Sequence, residues 1–152
     1  ILHARHIALG GDPFETGSSR PLDFGHWTAH KMEQLTDFEL SHADAVSVGV
    51  ALDTLYSARC GWLAEEDAWR AVGLLRGLQL PVWHESLDLR DGEGRRLVYR
   101  GLEEFREHLG GELTVLMLEG VGQGVDRHSV DEALHEACIE ELKTASQEGI
   151  PT

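Results

Sequence analysis

The 152-residue sequence predicts one mainly α-helical domain with at most one small β-hairpin. The stretch after Ser41 is too densely apolar for a surface helix, which indicates a central, buried helix. Segments near residues 65–76 and 129–142 place apolar side chains at helical spacing. Only one short run, Leu113–Leu118, has the apolar and β-branched character of a strand.

The first two helices are predicted from their end signals. We expect the first helix from about Phe24 to Leu35. Ser41 can cap the second helix, with Asp44 three residues later in a position like that of a capping box. Gly61 is expected to stop it, because glycine readily takes the left-handed conformation that ends helices.

Three further helices and one strand follow along the chain. The third helix is predicted over Glu65–Arg76. Its apolar face is expected to consist of Trp69, Val72, Leu74 and Leu75. The fourth helix is predicted over Tyr99–Leu109, and the last from Ser129, with Glu132 completing a capping box. The partner of the strand is left open between Arg96–Val98 and Gln123–Asp126.

Composition and charge exclude several classes of partner. The net charge of −14 argues against binding to nucleic acid or to an anionic membrane surface. No apolar run is long enough to span a bilayer. Cys60 and Cys138 lack a paired motif and indicate free thiols, so we expect a cytoplasmic protein. An anionic substrate would need a local source of positive charge, such as a metal ion.

Three histidines and a glutamate form the most suggestive pattern in the chain. His26, His30 and Glu33 share one face of the predicted first helix, and His42 stands at the start of the second. Neutral imidazoles from two elements can bind one zinc ion. Spacing alone is weak evidence, because a chain with nine histidines contains such a pair by chance.

The surrounding residues strengthen this pattern. The segment from Asp12 to Glu33 resembles the signature of 3-dehydroquinate synthases and related sugar-phosphate cyclases, and Ser41–Val46 resembles their following H-G-E-A-V element. The positions that match without a gap are Asp12, Glu15, Gly17, Leu22, Gly25, His26, His30 and Glu33. The resemblance is close over about the first 60 residues and implies the helical C-terminal domain of a dehydroquinate synthase-like fold.

Several positions depart from the family pattern, which indicates a divergent member. Asp23 stands where the family has asparagine, and Ala29 where it has glycine. The family arginine falls on Ser19, with Arg20 one place along, and a family lysine falls on Arg5. These positions face the substrate more than the metal, so the resemblance leaves the exact sugar phosphate open.

The resemblance implies a role for each of these residues. His26 and His42 are expected to bind Zn²⁺ or Co²⁺, and His30 and Glu15 to act in catalysis. The residues expected to contact the sugar-phosphate substrate are Arg5, Arg20 and Asp23. In the family a third metal ligand, a glutamate, and the NAD-binding domain lie upstream, so we expect both to precede residue 1 and the isolated chain to be inactive.

Two readings of the function stay open. The first is a phosphate-eliminating lyase that closes a carbocyclic ring by an intramolecular aldol step, with this chain as its C-terminal part. The alternative is a helical module that binds a metal or a partner without catalysis. A homodimer is left open as the assembly.

Overall fold

The computed structural model describes residues 24–108, 115–120 and 123–150. These ranges contain five α-helices and one two-stranded sheet, which confirms the mainly helical prediction. The helices are α1 (His26–Leu35), α2 (His42–Arg59), α3 (Glu65–Gly77), α4 (Arg100–His108) and α5 (Glu132–Glu148), and the strands are β1 (Val115–Gly120) and β2 (Gln123–Arg127). Two short 3-10 helices, Glu85–Asp88 and Leu97–Tyr99, lie between α3 and α4. No helix in the described ranges is both long and apolar enough to cross a membrane.

Helix α2 is the centre of the domain, as its apolar sequence predicts. It packs against α1, α3, α5 and β1, and most of its residues are buried. Ser41 Oγ accepts a hydrogen bond from Asp44 N at 3.1 Å, so the predicted cap is confirmed. The helix ends at Arg59, and Gly61 follows with φ +83°, the left-handed conformation expected for a stop signal.

The last helix begins later than the sequence predicts. Asp131, not Ser129, is its N-cap, and the Asp131 carboxylate accepts from Leu134 N at 3.2 Å. The backbone N–H of Asp131 donates to the hydroxyl of Tyr56 on α2 at 2.9 Å. This contact with a distant residue holds Asp131 in the extended conformation of an N-cap. The residues next to Asp131 carry no signal that predicts the contact.

Two other helix predictions also need correction. Tyr99 belongs to a 3-10 helix, so α4 begins at Arg100, and the predicted end at Leu109 lies outside the described residues. Leu74 is 63% exposed, although the sequence predicts it on the inward face of α3. It lies two residues beyond the fully buried Val72, which places it about 200° further round the helix.

The sheet is the single small hairpin that the sequence predicts. Strand β1 pairs with β2 in antiparallel register, with Met117 opposite Val125. The alternative partner, Arg96–Val98, is wrong, because Arg96 instead forms an isolated bridge with Arg90. The predicted start of the strand at Leu113 lies outside the described residues. The hairpin attaches to α2 through Leu118 N, which donates to Ser57 Oγ at 3.0 Å.

Candidate functional site

Two glycines set the close crossing of α1 and α2. A Cβ atom on Gly49 would lie 2.0 Å from the carbonyl oxygen of Gly25, which is far inside any permitted contact. Gly25 has φ +77°, and a Cβ there would lie 2.7 Å from Val50 N. Both positions therefore require glycine, and the two backbones are in direct contact. This contact brings the face of α1 that bears His26 beside α2.

The crossing gathers the three predicted histidines. The ring centroids are 5.5 Å apart for His26 and His42, 5.7 Å for His26 and His30, and 6.0 Å for His30 and His42. Two imidazoles that share a tetrahedral zinc ion have centroids about 5 Å apart, given Zn–N bonds of about 2.0–2.1 Å. The spacing of His26 and His42 is therefore of the size that a shared metal ion requires.

Each of the two expected ligands is oriented by a hydrogen bond at Nδ1. His26 Nδ1 lies 3.1 Å from the carbonyl oxygen of Phe24, and His42 Nδ1 lies 2.5 Å from Glu33 Oε1. Both partners only accept, so Nδ1 carries the hydrogen in each ring. In the neutral ring the lone pair is then on Nε2, the usual arrangement for a metal-binding histidine.

Glu33 is a residue whose role the sequence analysis did not identify. Its spacing predicts its place on the face of His26 and His30, but does not predict that it contacts His42 nine residues later. The Glu33 side chain is only 12% exposed, whereas that of His42 is 51% exposed. The carboxylate is thus the more enclosed of the two groups and can orient the more exposed imidazole.

A second carboxylate, Asp53, lies behind the crossing. It is 1% exposed, and its Oδ2 accepts from Gly25 N at 3.0 Å. Burial raises the pKa of Asp53 to about 8, and the hydrogen bond from Gly25 opposes that rise. The carboxylate therefore retains a proton far more readily than an exposed aspartate does.

The described residues do not form a complete metal site by themselves. Within residues 24–108, 115–120 and 123–150, no three His, Cys, Asp or Glu side chains are arranged as a set that could hold a metal ion. His26 and His42 would therefore need a further ligand from elsewhere in the protein. The other expected site residues, Arg5, Glu15, Arg20 and Asp23, lie outside the described residues.

His135 is a buried polar residue that the sequence analysis did not place. Its Nδ1 shares a hydrogen bond with the Tyr99 hydroxyl at 2.9 Å, and its ring lies 5.4–5.7 Å from the rings of Trp27, Tyr56 and Tyr99. Burial, aided by Arg96, lowers the pKa of His135 to about 3. The available signal was its position on the apolar stripe of α5, three residues before Cys138 and four before Ile139.

Comparison with known proteins gives one consistent family. Residues 2–93 match the family model described as 3-dehydroquinate synthase C-terminal. The 3-dehydroquinate synthase of Aeropyrum pernix is 34% identical over 115 residues, which cover 76% of this chain and 30% of that protein. The 2-epi-valiolone synthase of Actinosynnema mirum is 38% identical over 80 residues, which cover 52% of this chain and 21% of that protein.

A solved structure shares the fold. It is ValA, a 2-epi-5-epi-valiolone synthase from Streptomyces hygroscopicus subsp. jinggangensis with NAD⁺ and Zn²⁺ bound, at a TM-score of 0.72 and 27% identity. The similarity covers 86% of this chain and 34% of ValA. The chain thus spans about a third or less of the length of these three relatives. Because the family model covers more than half of the sequence, the chain is a member of the 3-dehydroquinate synthase C-terminal family.

Proposed function

We propose that the protein is a metal- and NAD-dependent sugar-phosphate cyclase, to which this chain contributes the helical part that binds metal and substrate. The observation that carries the proposal is the pair His26 and His42, whose ring centroids lie 5.5 Å apart at the α1–α2 crossing. The Zn²⁺ and NAD⁺ bound by ValA support it, because the two proteins share this fold.

The residues present fit a zinc or cobalt ion in their chemistry. His26 and His42 would bind the ion through Nε2, and a glutamate outside the described residues would supply a further ligand. A bound Zn²⁺ or Co²⁺ would lower the cost of forming an alkoxide from a substrate hydroxyl group. We assign NAD binding to the rest of the protein, because in the resembled family the NAD-binding domain lies upstream of the helical domain.

The remaining histidine of the cluster would handle protons and phosphate. His30 is exposed, with its ring 5.7 Å from that of His26 and 6.0 Å from that of His42. Imidazole exchanges protons near neutral pH, so His30 is suited to a step beside the metal. We propose Glu15 as its catalytic partner.

We propose Arg5 and Arg20 as cationic contacts for the phosphate group of the substrate. A guanidinium group binds phosphate by charge-assisted, bidentate hydrogen bonds. The net charge of −14 repels anions over the whole molecule, so such local contacts would be needed to bind the substrate.

The test separates metal binding from catalysis in the full-length protein. His26→Ala and His42→Ala should each lose bound zinc and turnover together, because each removes a metal ligand. His30→Ala should keep zinc and lose turnover. His84→Ala is the matched control, because His84 bonds locally to Ser86. Normal zinc content in His26→Ala and His42→Ala would contradict the proposed site.

Asp23 is the residue expected to influence which sugar phosphate the protein prefers. It replaces a family asparagine with an anion that can only accept hydrogen bonds. Asp23→Asn should keep its metal and shift the preference among sugar phosphates toward the dehydroquinate synthase substrate. If Asp23→Asn instead loses zinc as His26→Ala does, Asp23 supports the metal and is not a specificity residue.

The alternative, a module without catalysis, predicts a different result. The full-length protein would then bind zinc but would turn over no sugar phosphate in the presence of NAD⁺. The 152 residues alone should not catalyse cyclisation under either reading, because nicotinamide binding is assigned elsewhere. NAD-dependent turnover by these 152 residues would show that assignment to be wrong.

A further inference from the structure

Asp53 is a buried carboxylate that the proposed chemistry does not use. It lies in the middle of α2, and among the described residues no lysine or arginine forms an ion pair with it. Its Oδ1 is buried without a hydrogen-bond partner in the described part of the chain. A buried carboxyl oxygen without a hydrogen-bond partner destabilises a fold even when the group is protonated, so the presence of Asp53 calls for a compensating role.

The hydrogen bonds of Asp53 lead to His26 through a single peptide group. Asp53 Oδ2 accepts from the N–H of Gly25 at 3.0 Å. The carbonyl of that same peptide group belongs to Phe24, and it accepts from His26 Nδ1 at 3.1 Å. Because a peptide group is planar, fixing the direction of its N–H also fixes the direction of its C=O.

Asp53 holds the amide group of the turn that begins α1. Gly25 is the N-cap of α1, and within the described ranges no side chain caps this helix by a hydrogen bond. Gly25 also lacks a side chain that could restrict rotation of its own backbone. The carboxylate on the neighbouring helix therefore supplies the hydrogen bond that orients the start of α1.

We propose that Asp53 is a positioning residue that orients His26 through the Phe24–Gly25 peptide group. The inference rests on the proposed metal site, because His26 needs a fixed orientation only if it binds a ligand. Glu33 acts on His42 directly, whereas Asp53 acts on His26 through one intervening peptide. Each expected metal-binding histidine then has its own carboxylate.

The test compares two variants of the intact protein that differ in one hydrogen bond. Asp53→Ala removes the acceptor for Gly25 N–H, whereas Asp53→Asn keeps an oxygen of the same shape without the charge. With Co²⁺ as the probe, Asp53→Ala should bind about tenfold more weakly or worse and change the visible absorption spectrum. Asp53→Asn should restore both the affinity and the spectrum.

A matched control separates positioning from loss of stability. Ser57 lies one turn along the same helix, where its hydroxyl donates to the Asp53 carbonyl and accepts from Leu118 N. Ser57→Ala loses these buried hydrogen bonds without touching the Phe24–Gly25 peptide, so its Co²⁺ affinity should stay at the native value. Reduced Co²⁺ affinity in Ser57→Ala equal to that of Asp53→Ala would overturn the proposal.

Hydrogen exchange of the Gly25 amide provides a readout that needs no metal. It should be slow in the native protein and in Asp53→Asn, and fast in Asp53→Ala. If Asp53→Ala does not fold, the exchange rate of the Gly25 amide in the native protein provides the test. An amide that exchanges as fast as exposed amides overturns the proposal. Weak Co²⁺ binding by Asp53→Asn also overturns it, because charge and not the hydrogen bond would then matter.

His26→Ala distinguishes failure of this inference from failure of the proposed function. If His26→Ala binds Co²⁺ like the native protein, the metal site itself is wrong, and the positioning role is wrong with it. If His26→Ala loses Co²⁺ while Asp53→Ala keeps the native affinity and spectrum, the metal site stands and only the positioning role of Asp53 is overturned.

Discussion

The three histidines at the α1–α2 crossing and the histidine in the core lie in different environments. His30 and His42 are exposed and His26 is half-buried, and the centroids of their rings lie 5.5–6.0 Å from one another. His135 is fully buried, and the rings around it are those of tryptophan and tyrosine. The same side chain is thus placed once at a solvent-accessible helix crossing and once in the packed core.

The partner of Nδ1 separates the two regions more sharply than burial does. At the crossing it is a carbonyl for His26 and a carboxylate for His42, so the ring is directed and Nε2 keeps the lone pair. In the core it is the Tyr99 hydroxyl, and among the described residues Nε2 of His135 has no hydrogen-bond partner. The partner at Nδ1 therefore distinguishes the oriented imidazoles at the crossing from the packed imidazole in the core.

The largest effect is expected from a substitution in α2, the helix that contributes to both the crossing and the core. Gly49→Ala would place a Cβ atom 2.0 Å from the Gly25 carbonyl oxygen, so the helices must separate. We expect the free energy of unfolding to fall by about 3 kcal/mol. Urea unfolding measures it, with Gly77→Ala as the control, since a Cβ on Gly77 meets nothing within 4 Å. Equal stability of the two variants would refute the close crossing.

The core histidine should make the protein sensitive to acid. The unfolded chain binds a proton at His135 below about pH 6.5, whereas the folded protein does so only near pH 3. Asp53, whose pKa is raised from 3.8 to about 8 on folding, contributes a slope of the opposite sign above pH 3.8. The separate contribution of His135 to stability is complete above pH 6.5 and falls by about 1.4 kcal/mol per pH unit as the pH drops toward 3. His135→Phe should remove this slope in urea unfolding at a series of pH values. His30→Ala, at the crossing, should retain it.

A smaller effect is expected at the carboxylate of the crossing. Glu33→Ala removes the acceptor for His42 Nδ1, so the intact protein should bind Co²⁺ about tenfold more weakly. Glu39→Ala is the matched control, because it removes the same charge from an exposed position on the α1–α2 connection. Isothermal titration with Co²⁺ provides the measurement, and equal affinities for the two variants would remove Glu33 from the site.

The smallest effect is expected for His42, and it compares a histidine of the crossing directly with the histidine of the core. His42→Ala should change the free energy of unfolding of the metal-free protein by no more than about 0.5 kcal/mol, since its side chain is 51% exposed. Urea unfolding without metal provides this measurement. A loss as large as that of a core substitution would mean that His42 serves packing, as His135 does.

Local signals were sufficient for much of the fold. Ser41 and Gly61 mark the start and end of α2 correctly, because capping depends on neighbouring residues. The start of α5 was predicted wrongly, because a contact with Tyr56, 75 residues away, sets it. Leu74 was misplaced because apolar character alone does not determine which face of a helix is buried.

The sequence predicts which histidines come together better than it predicts the contacts that surround them. Spacing and family resemblance indicate His26, His30 and His42, and the fold brings their rings together. Metal binding by His26 and His42 stays a prediction. The contacts of Glu33 and Asp53 depend on the register of α1 against α2, which follows from the meeting of Gly25 and Gly49 and not from any single segment.

The contact between Gly25 and Gly49 also distinguishes substitutions that would alter the α1–α2 crossing from substitutions that would not. The gap between α1 and α2 at this point is set mainly by backbone atoms of Gly25, Gly49 and Val50. The distance between the two imidazoles therefore depends little on the size of apolar side chains elsewhere in the core. A lineage can then exchange Met32 or Val48 for other apolar residues while the distance between His26 and His42 is inherited unchanged. The spacing of the three histidines at the crossing would then stay constant while positions around them vary.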